Sequence, residues 1–562
     1  MYNISASLRA LFFRLKDLIA RYPVLVAAIY LASVGNFAFW NKFTDVVAGS
    51  LLERVGFTVA FYLLIILLTV FLLQIFRFKY LTKPVLIFVL IASAFASYFM
   101  NNYGIMIDTT MIHNVLETDS SETGDLLTMG MLFHVLVFGI LPAAVIYKTR
   151  IVYLSPVRQL ARNSAFALLT LVAISGNILL FSSDYASFFR NHHHVRYLVN
   201  PINYIYSIGK VSALALKDQN TTPIPIGLDA HRAKIVAHSN RQSLIVMVVG
   251  ETARAMNFSL NGYQRITNPV LANEDIINFS NFYSCGTSTH VSLPCMFSKF
   301  DREHYDEELA KRYEKLPDVL QHAGIEVLWR DNNSGCKGVC KNVPRENMAH
   351  LHLDDLCTDS ECYDETMLVN LRKIVQSKDG DIVIILHQKG SHGPAYYLRH
   401  PKQFQVFTPE CTSNELTNCQ PQEIINAYDN TILYTDHFLG KVISLLKAES
   451  GRLDTAMLYV SDHGESLGEH NVYLHGLPYM IAPEEQKHVP FIAWFSDDFL
   501  KNNHLDKTCL QQQASKPYSH DNLFHSVLGL THVSTSIYDP TQDIFNSCQI
   551  QLTSTDKASA TL

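Results

Sequence analysis

Five stretches of this 562-residue chain hold 17 to 20 consecutive, overwhelmingly apolar residues: Pro23 to Trp40, Phe57 to Phe76, Pro84 to Met100, Met129 to Tyr147 and Ala165 to Phe181. A helix needs about 20 such residues to cross the roughly 30 Å of bilayer hydrocarbon. None of the five contains Asp, Glu, Lys or Arg, and most are apolar all round, so they read as membrane spans rather than buried helices of a water-soluble fold. Arg9, Arg14, Lys16 and Arg21 precede the first stretch in the manner of a signal peptide, but four further stretches follow, and the first is read as an uncleaved helix.

Lys and Arg near span ends stay on the cytoplasmic side. Of the 13 Lys+Arg in residues 1–182, 11 lie in three segments: the N-terminus, the turn with Arg77, Lys79 and Lys83, and the loop with Lys148, Arg150, Arg158 and Arg162. The alternate loops hold only Lys42 and Arg54, and the second of them carries Asp108, Glu117, Asp119, Glu122 and Asp125. An odd number of spans with the N-terminus inside delivers everything after Phe181 to the outside. The cysteines agree independently. All ten lie between residues 285 and 548, and an even count confined to one segment is the signature of a disulfide framework, which persists outside the cytosol. The formal charge of −6 lacks the basic excess of a nucleic-acid binder, and no nucleic-acid partner is expected.

Beyond Phe181, aromatic residues (Tyr185, Phe188, Phe189, Tyr197, Tyr204, Tyr206) alternate with Arg190, His192, His193, His194 and Arg196, a mixture suited to the headgroup level. From about Ser243 short apolar runs follow one another at the spacing of a largely parallel α/β sheet: Leu244–Val249, Val327–Trp329, Ile382–Leu386, Met457–Val460 and Val489–Trp494. Three of the runs end in chemistry: Gly250-Glu251-Thr252, His387 with Ser391-His392-Gly393, and Ser461-Asp462-His463-Gly464-Glu465. Ligands of open α/β sheets bind outside the carboxyl ends of the strands, and carboxylates with imidazoles suit zinc and similar divalent ions. A nucleophile is offered by Thr287, Ser288 and Thr289, between Cys285 and Cys295. Residue chemistry alone does not choose among these three hydroxyls.

Gly250-Glu-Thr-Ala-Arg254, Ser259-Leu-Asn-Gly-Tyr263, Ser284-Cys-Gly-Thr-Ser-Thr289, Ser391-His-Gly-Pro394, Ser461-Asp-His-Gly-Glu-Ser-Leu-Gly-Glu469 and Tyr473-Leu-His-Gly476 resemble the lipid A phosphoethanolamine transferases, including the transferable colistin-resistance enzymes, within the alkaline phosphatase and sulfatase superfamily. The resemblance covers nearly the whole chain. It implies a five-span α-helical membrane domain (1–182), interfacial helices and a linker (183–240), an α/β alkaline phosphatase/sulfatase-like periplasmic domain (241–550) and a polar tail (551–562). It implies Thr289 as the nucleophile, and Glu251, Thr289, Asp462 and His463 as ligands of one tightly held zinc ion, with a second ion during turnover left open. Lys337 and Ser334, with His392 and His475, would face the phosphoethanolamine group, and Asn114, Glu117 and Thr118 would hold the donor headgroup. His290 departs from the family pattern, where a small residue is expected after the nucleophile.

The implied reaction takes phosphoethanolamine from phosphatidylethanolamine onto Thr289 and then onto a phosphate of lipid A, in two displacements. His392 assists, and His475 serves as the general acid or, alternatively, as a structural partner of Glu465. The expected protein is an inner-membrane, multi-pass monomer with a periplasmic catalytic domain, and its product resists polymyxins by masking surface charge. Alternatives are transfer to core sugar or another periplasmic glycan, a hydrolase of the same superfamily, and a sensor without turnover. Pairing each cysteine with its neighbour gives 285/295, 336/340, 357/362, 411/419 and 509/548, one of many connectivities the count allows.

Overall fold

The computed structural model describes residues 14–550, except 15, 48–49, 119, 219–222, 234–240, 350, 352, 354 and 359–360. The tail expected over 551–562, Arg9, Asp119 and parts of the expected linker lie outside the described residues. The chain divides into two compact units. One takes in the chain to Ile112 together with Leu127–Ala213, and the other takes in His113–Leu126 together with everything from Leu214.

In chain order the helical segment runs α1 (Pro23–Val46), α2 (Leu51–Gln74), α3 (Thr82–Tyr103), the short α4 (Thr109–Glu117) and α5 (Ser120–Leu126), then α6 (Met129–Lys148), α7 (Pro156–Leu180), α8 (Ser182–Asn191) and α9 (Ile202–Asp218). Among the described residues, α1, α2, α3, α6 and α7 are long and apolar enough to cross a membrane. Their ends overrun the apolar stretches because backbone hydrogen bonding continues to the next capping signal. Helix α2 starts at a capping box, where the Ser50 amide donates to Glu53 Oε2 at 2.8 Å. Helix α7 starts nine residues before Ala165 at Pro156, whose missing N–H costs nothing in a first turn. In α6 the turn Leu136–Ile140 widens just before Pro142, which cannot donate to the ladder. The aromatic segment after α7 is amphipathic. Tyr185 and Phe188 turn inward onto Phe57, Phe61 and Phe43, whereas Tyr206 is exposed.

The second unit is built on a seven-stranded sheet. Its strands are β1 (Ser243–Gly250), β2 (Ile276–Phe279), β3 (Glu326–Asp331), β4 (Arg345–Asn347), β5 (Ile382–His387), β6 (Asp454–Ser461) and β7 (Phe491–Phe495), in the order β2-β7-β6-β1-β5-β3-β4. Strands β6, β1, β5, β3 and β4 are mutually parallel, and β7 runs antiparallel to both its neighbours. All five apolar runs of the sequence are strands here. Strands β1, β5 and β6 are buried at every position, the pattern of a parallel sheet covered on both faces. Two further helices matter to the site: α10 (Thr289–Met296) and the 29-residue α11 (Pro421–Glu449), which packs on β6. Disulfides join Cys285–Cys295, Cys336–Cys340, Cys357–Cys362, Cys411–Cys419 and Cys509–Cys548, each cysteine to its nearest neighbour in sequence.

Candidate functional site

Register brings the reactive residues together. Gly250 pairs with Ser461 across β1 and β6, and Val249 pairs with His387 across β1 and β5. The next residues, Glu251 and Asp462, therefore emerge side by side at the carboxyl edge of the sheet. Glu251, Asp462 and His463 are fully buried and bring one ligand atom each within 4.8 Å of the others. The backbone turns sharply there, with Thr252 at φ 54°. Gly390, also at positive φ, lies so close that an added Cβ would stand 2.7 Å from the Glu251 carbonyl oxygen, a position open only to glycine.

The three candidate hydroxyls separate cleanly. Thr287 Oγ1 donates to the Leu477 carbonyl at 2.6 Å, and the Ser288 hydroxyl is buried without a hydrogen-bond partner among the described residues. Thr289 is the one that reaches the cluster. Its Oγ1 lies 3.1 Å from each Glu251 carboxylate oxygen and 3.3 Å from His463 Nε2. Thr289 opens α10 with extended Ser288 before it, so the positive end of the helix lies at the Glu251 carboxylate. The Cys285–Cys295 bridge closes this loop around it.

The residues fit a divalent cation. Asp462 Oδ2 is buried and accepts no hydrogen bond, a costly state for a carboxylate oxygen with no cation beside it. His463 Nδ1 faces the Gly464 carbonyl at 2.9 Å, so Nδ1 carries a proton, and Nε2 lies 3.3 Å from Glu251 Oε1, where a bound cation would find it. Burial alone would lower the His463 imidazole, but Asp462 and Glu251 outweigh it and push it up to about 10. Burial and the adjacent Glu251 raise the Asp462 carboxyl. Two carboxylates, an imidazole and a hydroxyl form an O/N donor set suited to zinc.

Around this centre, support residues lock the ligands. Asn333 Nδ2 donates to Glu251 Oε2 at 2.5 Å and lies 3.3 Å from His387 Nε2. His387 Nδ1 lies 3.1 Å from Asp331 Oδ2, which also accepts from Trp329 Nε1. His475 Nδ1 lies 2.7 Å from Glu465 Oε2, whose other oxygen accepts from Tyr396 at 2.7 Å. The His475 ring stands 4.4 Å from His463 and 5.4 Å from His392, centroid to centroid. Burial, with the Lys389 ammonium beside it, holds His392 well below its ordinary range, so it is neutral.

Lys337, held at φ 48° inside the Cys336–Cys340 loop, donates to the Ser334 carbonyl and hydroxyl at 3.2 and 3.1 Å and lies 3.4 Å from Glu117 Oε2. Glu117 also meets His290 Nδ1 at 2.9 Å. Burial would raise the Glu117 carboxyl, but His290 and Lys337 hold it below the usual carboxylate range. Thr118 turns its hydroxyl back onto the Asn114 carbonyl at 2.7 Å; Asn114 itself is half-buried one turn earlier. The same short segment carries Glu122, 3.3 Å from Lys389 Nζ, and Asp125, paired with buried Arg399.

Comparison with known proteins now decides the family. Residues 243–533 match the family described as Sulfatase, and residues 65–215 match the one described as Phosphoethanolamine transferase EptA/EptB. The chain is 42% identical over 539 residues to phosphoethanolamine transferase EptA of Escherichia coli strain K12, covering 94% of this chain and 96% of that protein. This chain belongs to the phosphoethanolamine transferase family. Phosphatidylethanolamine transferase Mcr-1 from Escherichia coli is 42% identical over 490 residues, 84% of this chain and 89% of its own length. Among solved structures, the integral membrane lipooligosaccharide phosphoethanolamine transferase A of Neisseria meningitidis superposes with a TM-score of 0.90 at 37% identity, over 94% of this chain and 98% of that one. The transferase is accordingly a multi-pass membrane protein with a sulfatase-like α/β domain.

Sequence reading of this transferase did not reach Asn333, Asp331, Tyr396, Lys389 or Arg399, which support the site from behind. His387 was visible as a strand end without a role. Such residues carry no periodic signature, because their partners lie on other strands; a strand end rich in Asn and His is the only local signal.

Proposed function

We propose that the chain is a zinc-dependent transferase of the bacterial inner membrane that moves phosphoethanolamine from phosphatidylethanolamine to a phosphate of lipid A, through a covalent phospho-Thr289 intermediate. The carrying observation is the Thr289 hydroxyl, which opens a helix and donates into the Glu251 carboxylate inside a buried Glu-Asp-His cluster.

Glu251, Asp462 and His463, with Thr289, would hold the zinc ion, which when bound supplies Lewis acidity that lowers the proton affinity of the threonine oxygen and offsets phosphoryl charge. Thr289 Oγ1 gives its proton toward Glu251 and attacks the donor phosphorus. The new Oγ1–P bond replaces the bond to the diacylglycerol oxygen, and His475, oriented by Glu465, protonates that leaving oxygen. Lys337 and neutral His392 stabilise the non-bridging oxygens. Glu117, on the other side of Lys337, takes the ammonium of the headgroup. In the second displacement His475 receives a proton as a lipid A phosphate oxygen attacks, and the Oγ1–P bond breaks with return of a proton to Thr289. Added amines reduce the negative charge of the outer surface and weaken binding of cationic peptides such as polymyxins.

The test is the mass of lipid A from a polymyxin-sensitive Gram-negative host expressing the chain or its Thr289→Ala variant. The expected gain of one phosphoethanolamine unit, about 123 Da by formula and consistent with phosphoryl transfer, is absent from the variant. Unmodified lipid A beside a labelled core sugar would reassign the acceptor, and modification that survives Thr289→Ala would overturn the mechanism.

A further inference from the structure

His290, the residue directly after the nucleophile, is 2% exposed and makes three contacts that together fix its orientation. Its Nδ1 lies 2.9 Å from Glu117 Oε1. Its ring stacks on His113 at 4.4 Å and 10°, and His113 stands one helical turn before Glu117, on the same face of α4. Its Nε2 lies 3.4 Å from Lys311 Nζ. An ammonium can only donate, so Nε2 accepts and the imidazole proton sits on Nδ1, at ion-pair distance from Glu117 Oε1 but outside hydrogen-bond alignment. His113, Glu117 and His290 also bring ligand atoms within 4.8 Å of one another. Ammonium groups against two of those three residues, Lys311 and Lys337, make the cluster a poor cation site and a good carboxylate holder.

Glu117 thus faces His290 through Oε1 and the Lys337 ammonium through Oε2. Its Oε2 is shielded from solvent and accepts no hydrogen bond, with Lys337 Nζ at 3.4 Å. Lys337 already donates to Ser334, and it faces phosphate in the mechanism above. A buried carboxylate oxygen without an N–H donor attracts a small cation that can supply one. A primary ammonium does so with three N–H groups, and a headgroup without an amine offers none.

We propose that His290 is a positioning residue for donor selection: it anchors Glu117 through Oε1 so that Oε2 receives the primary ammonium of an ethanolamine headgroup. The proposal rests on the reading that Glu117 faces the donor. It assigns a purpose to the residue at which this chain departs from the small side chain expected of its relatives.

The experiment is single-turnover labelling of Thr289 in the full-length, zinc-loaded protein, read by mass spectrometry. Phosphatidylethanolamine is compared with phosphatidylethanol, which has the same headgroup carbons and no amine. The preference for the amine-bearing donor is expected to fall about tenfold in His290→Ala, the worth of one close polar contact to a buried carboxylate. His290→Asn, whose Nδ2–H can reach the same carboxylate, should recover most of it. Lys311→Met, at an exposed position that leaves the imidazole in place, should lower the preference about threefold by releasing the tautomer. An equal loss on both donors, or no recovery in His290→Asn, makes His290 a packing residue and overturns the proposal. Wild-type protein that labels from both donors equally overturns it as well. Wild-type protein in which neither donor labels Thr289 overturns instead the transferase mechanism on which it stands.

Discussion

The two units bury polar groups by opposite means. In the helical unit the outward surface is as apolar as the interior: Leu169, Val172, Leu179 and Leu180 of α7 are 62–82% exposed. Its buried polar groups among the described residues are neutral hydroxyls and amides, Arg77 apart. Asn36 donates to the Leu31 and Asn200 carbonyls and accepts from the Asn200 amide, and Asn163 accepts from Gln74 and Gln159 while donating to the Arg77 carbonyl. In the sheet unit, by contrast, whole charges are buried: Glu251, Asp462, Asp429 and Asp436 are fully so. The difference teaches where reactivity can reside. A solvent of hydrocarbon favours groups that are already satisfied, whereas a domain with water outside and disulfides across its loops can hold charges that remain in need of a counter-ion.

Removing the need for that counter-ion should break the contrast most strongly. Glu251→Gln takes away one carboxylate ligand of the buried cluster, and labelling of lipid A is expected to fall about a thousandfold, as mutation at a catalytic metal site commonly does. Chelation of the wild-type protein should match it, with recovery on zinc addition; activity that withstands both would remove the cation from the mechanism. Next in size is Arg399, which pairs with both Asp125 and Glu361 in the interior. Arg399→Met leaves two buried carboxylates unpaired and should destabilise the sheet unit by about 3–5 kcal/mol, measured by denaturant melts in detergent. An unchanged midpoint would mean that the charges there are not buried in solution.

Acid should expose a third contrast. His520 is wholly buried, accepts from the Cys285 amide at Nδ1 and faces the Ser461 carbonyl through Nε2. Burial pushes its imidazole down to about 3, so the folded protein keeps it neutral while an unfolded chain takes up a proton below about pH 6.5. The stability it contributes is complete above pH 6.5 and is lost as pH falls toward 3, by about 1.4 kcal/mol per pH unit. Thermal melts over that window should show the slope in wild type and a shallower one in His520→Gln; equal slopes would assign acid sensitivity to other groups. Smallest is Asn36→Leu in the helical unit, expected to cost about 1–2 kcal/mol because buried amides in membrane interiors contribute modestly. A loss as large as that of Arg399→Met would erase the distinction between the units.

Much of this organisation is legible in the sequence because each unit announces itself by a continuous signal. Unbroken apolarity marks the spans, and apolar runs ending in Glu251, His387 and Asp462 mark the strands that build the site. Short elements escaped: β2 and β4 have four and three residues, too few for a period to register, and β7 shows its apolarity without its antiparallel direction. The start of α7 was hidden because Arg158 and Arg162 belong to the helix though not to its apolar part. Among the three hydroxyls after Cys285, residue chemistry made no choice and the resemblance pointed to Thr289, whose partner lies on a strand end 38 residues away. The resemblance drew Asn114, Glu117 and Thr118 toward the donor, but no local pattern puts His113–Leu126 in the sheet unit, as its partners Lys337, Lys389 and Arg399 lie more than 200 residues downstream.

That last segment has a practical consequence for any attempt to study the catalytic domain by truncation. A fragment beginning at Leu214 keeps Glu251, Thr289, Asp462 and His463, but leaves behind Glu117, Glu122 and Asp125. His290, Lys337, Lys389 and Arg399 each lose a carboxylate partner, and the missing negative charges make the reactive face more cationic than in the whole chain. Inhibitor screens against such a fragment would enrich anionic compounds, which in the intact protein would meet three carboxylates already in place.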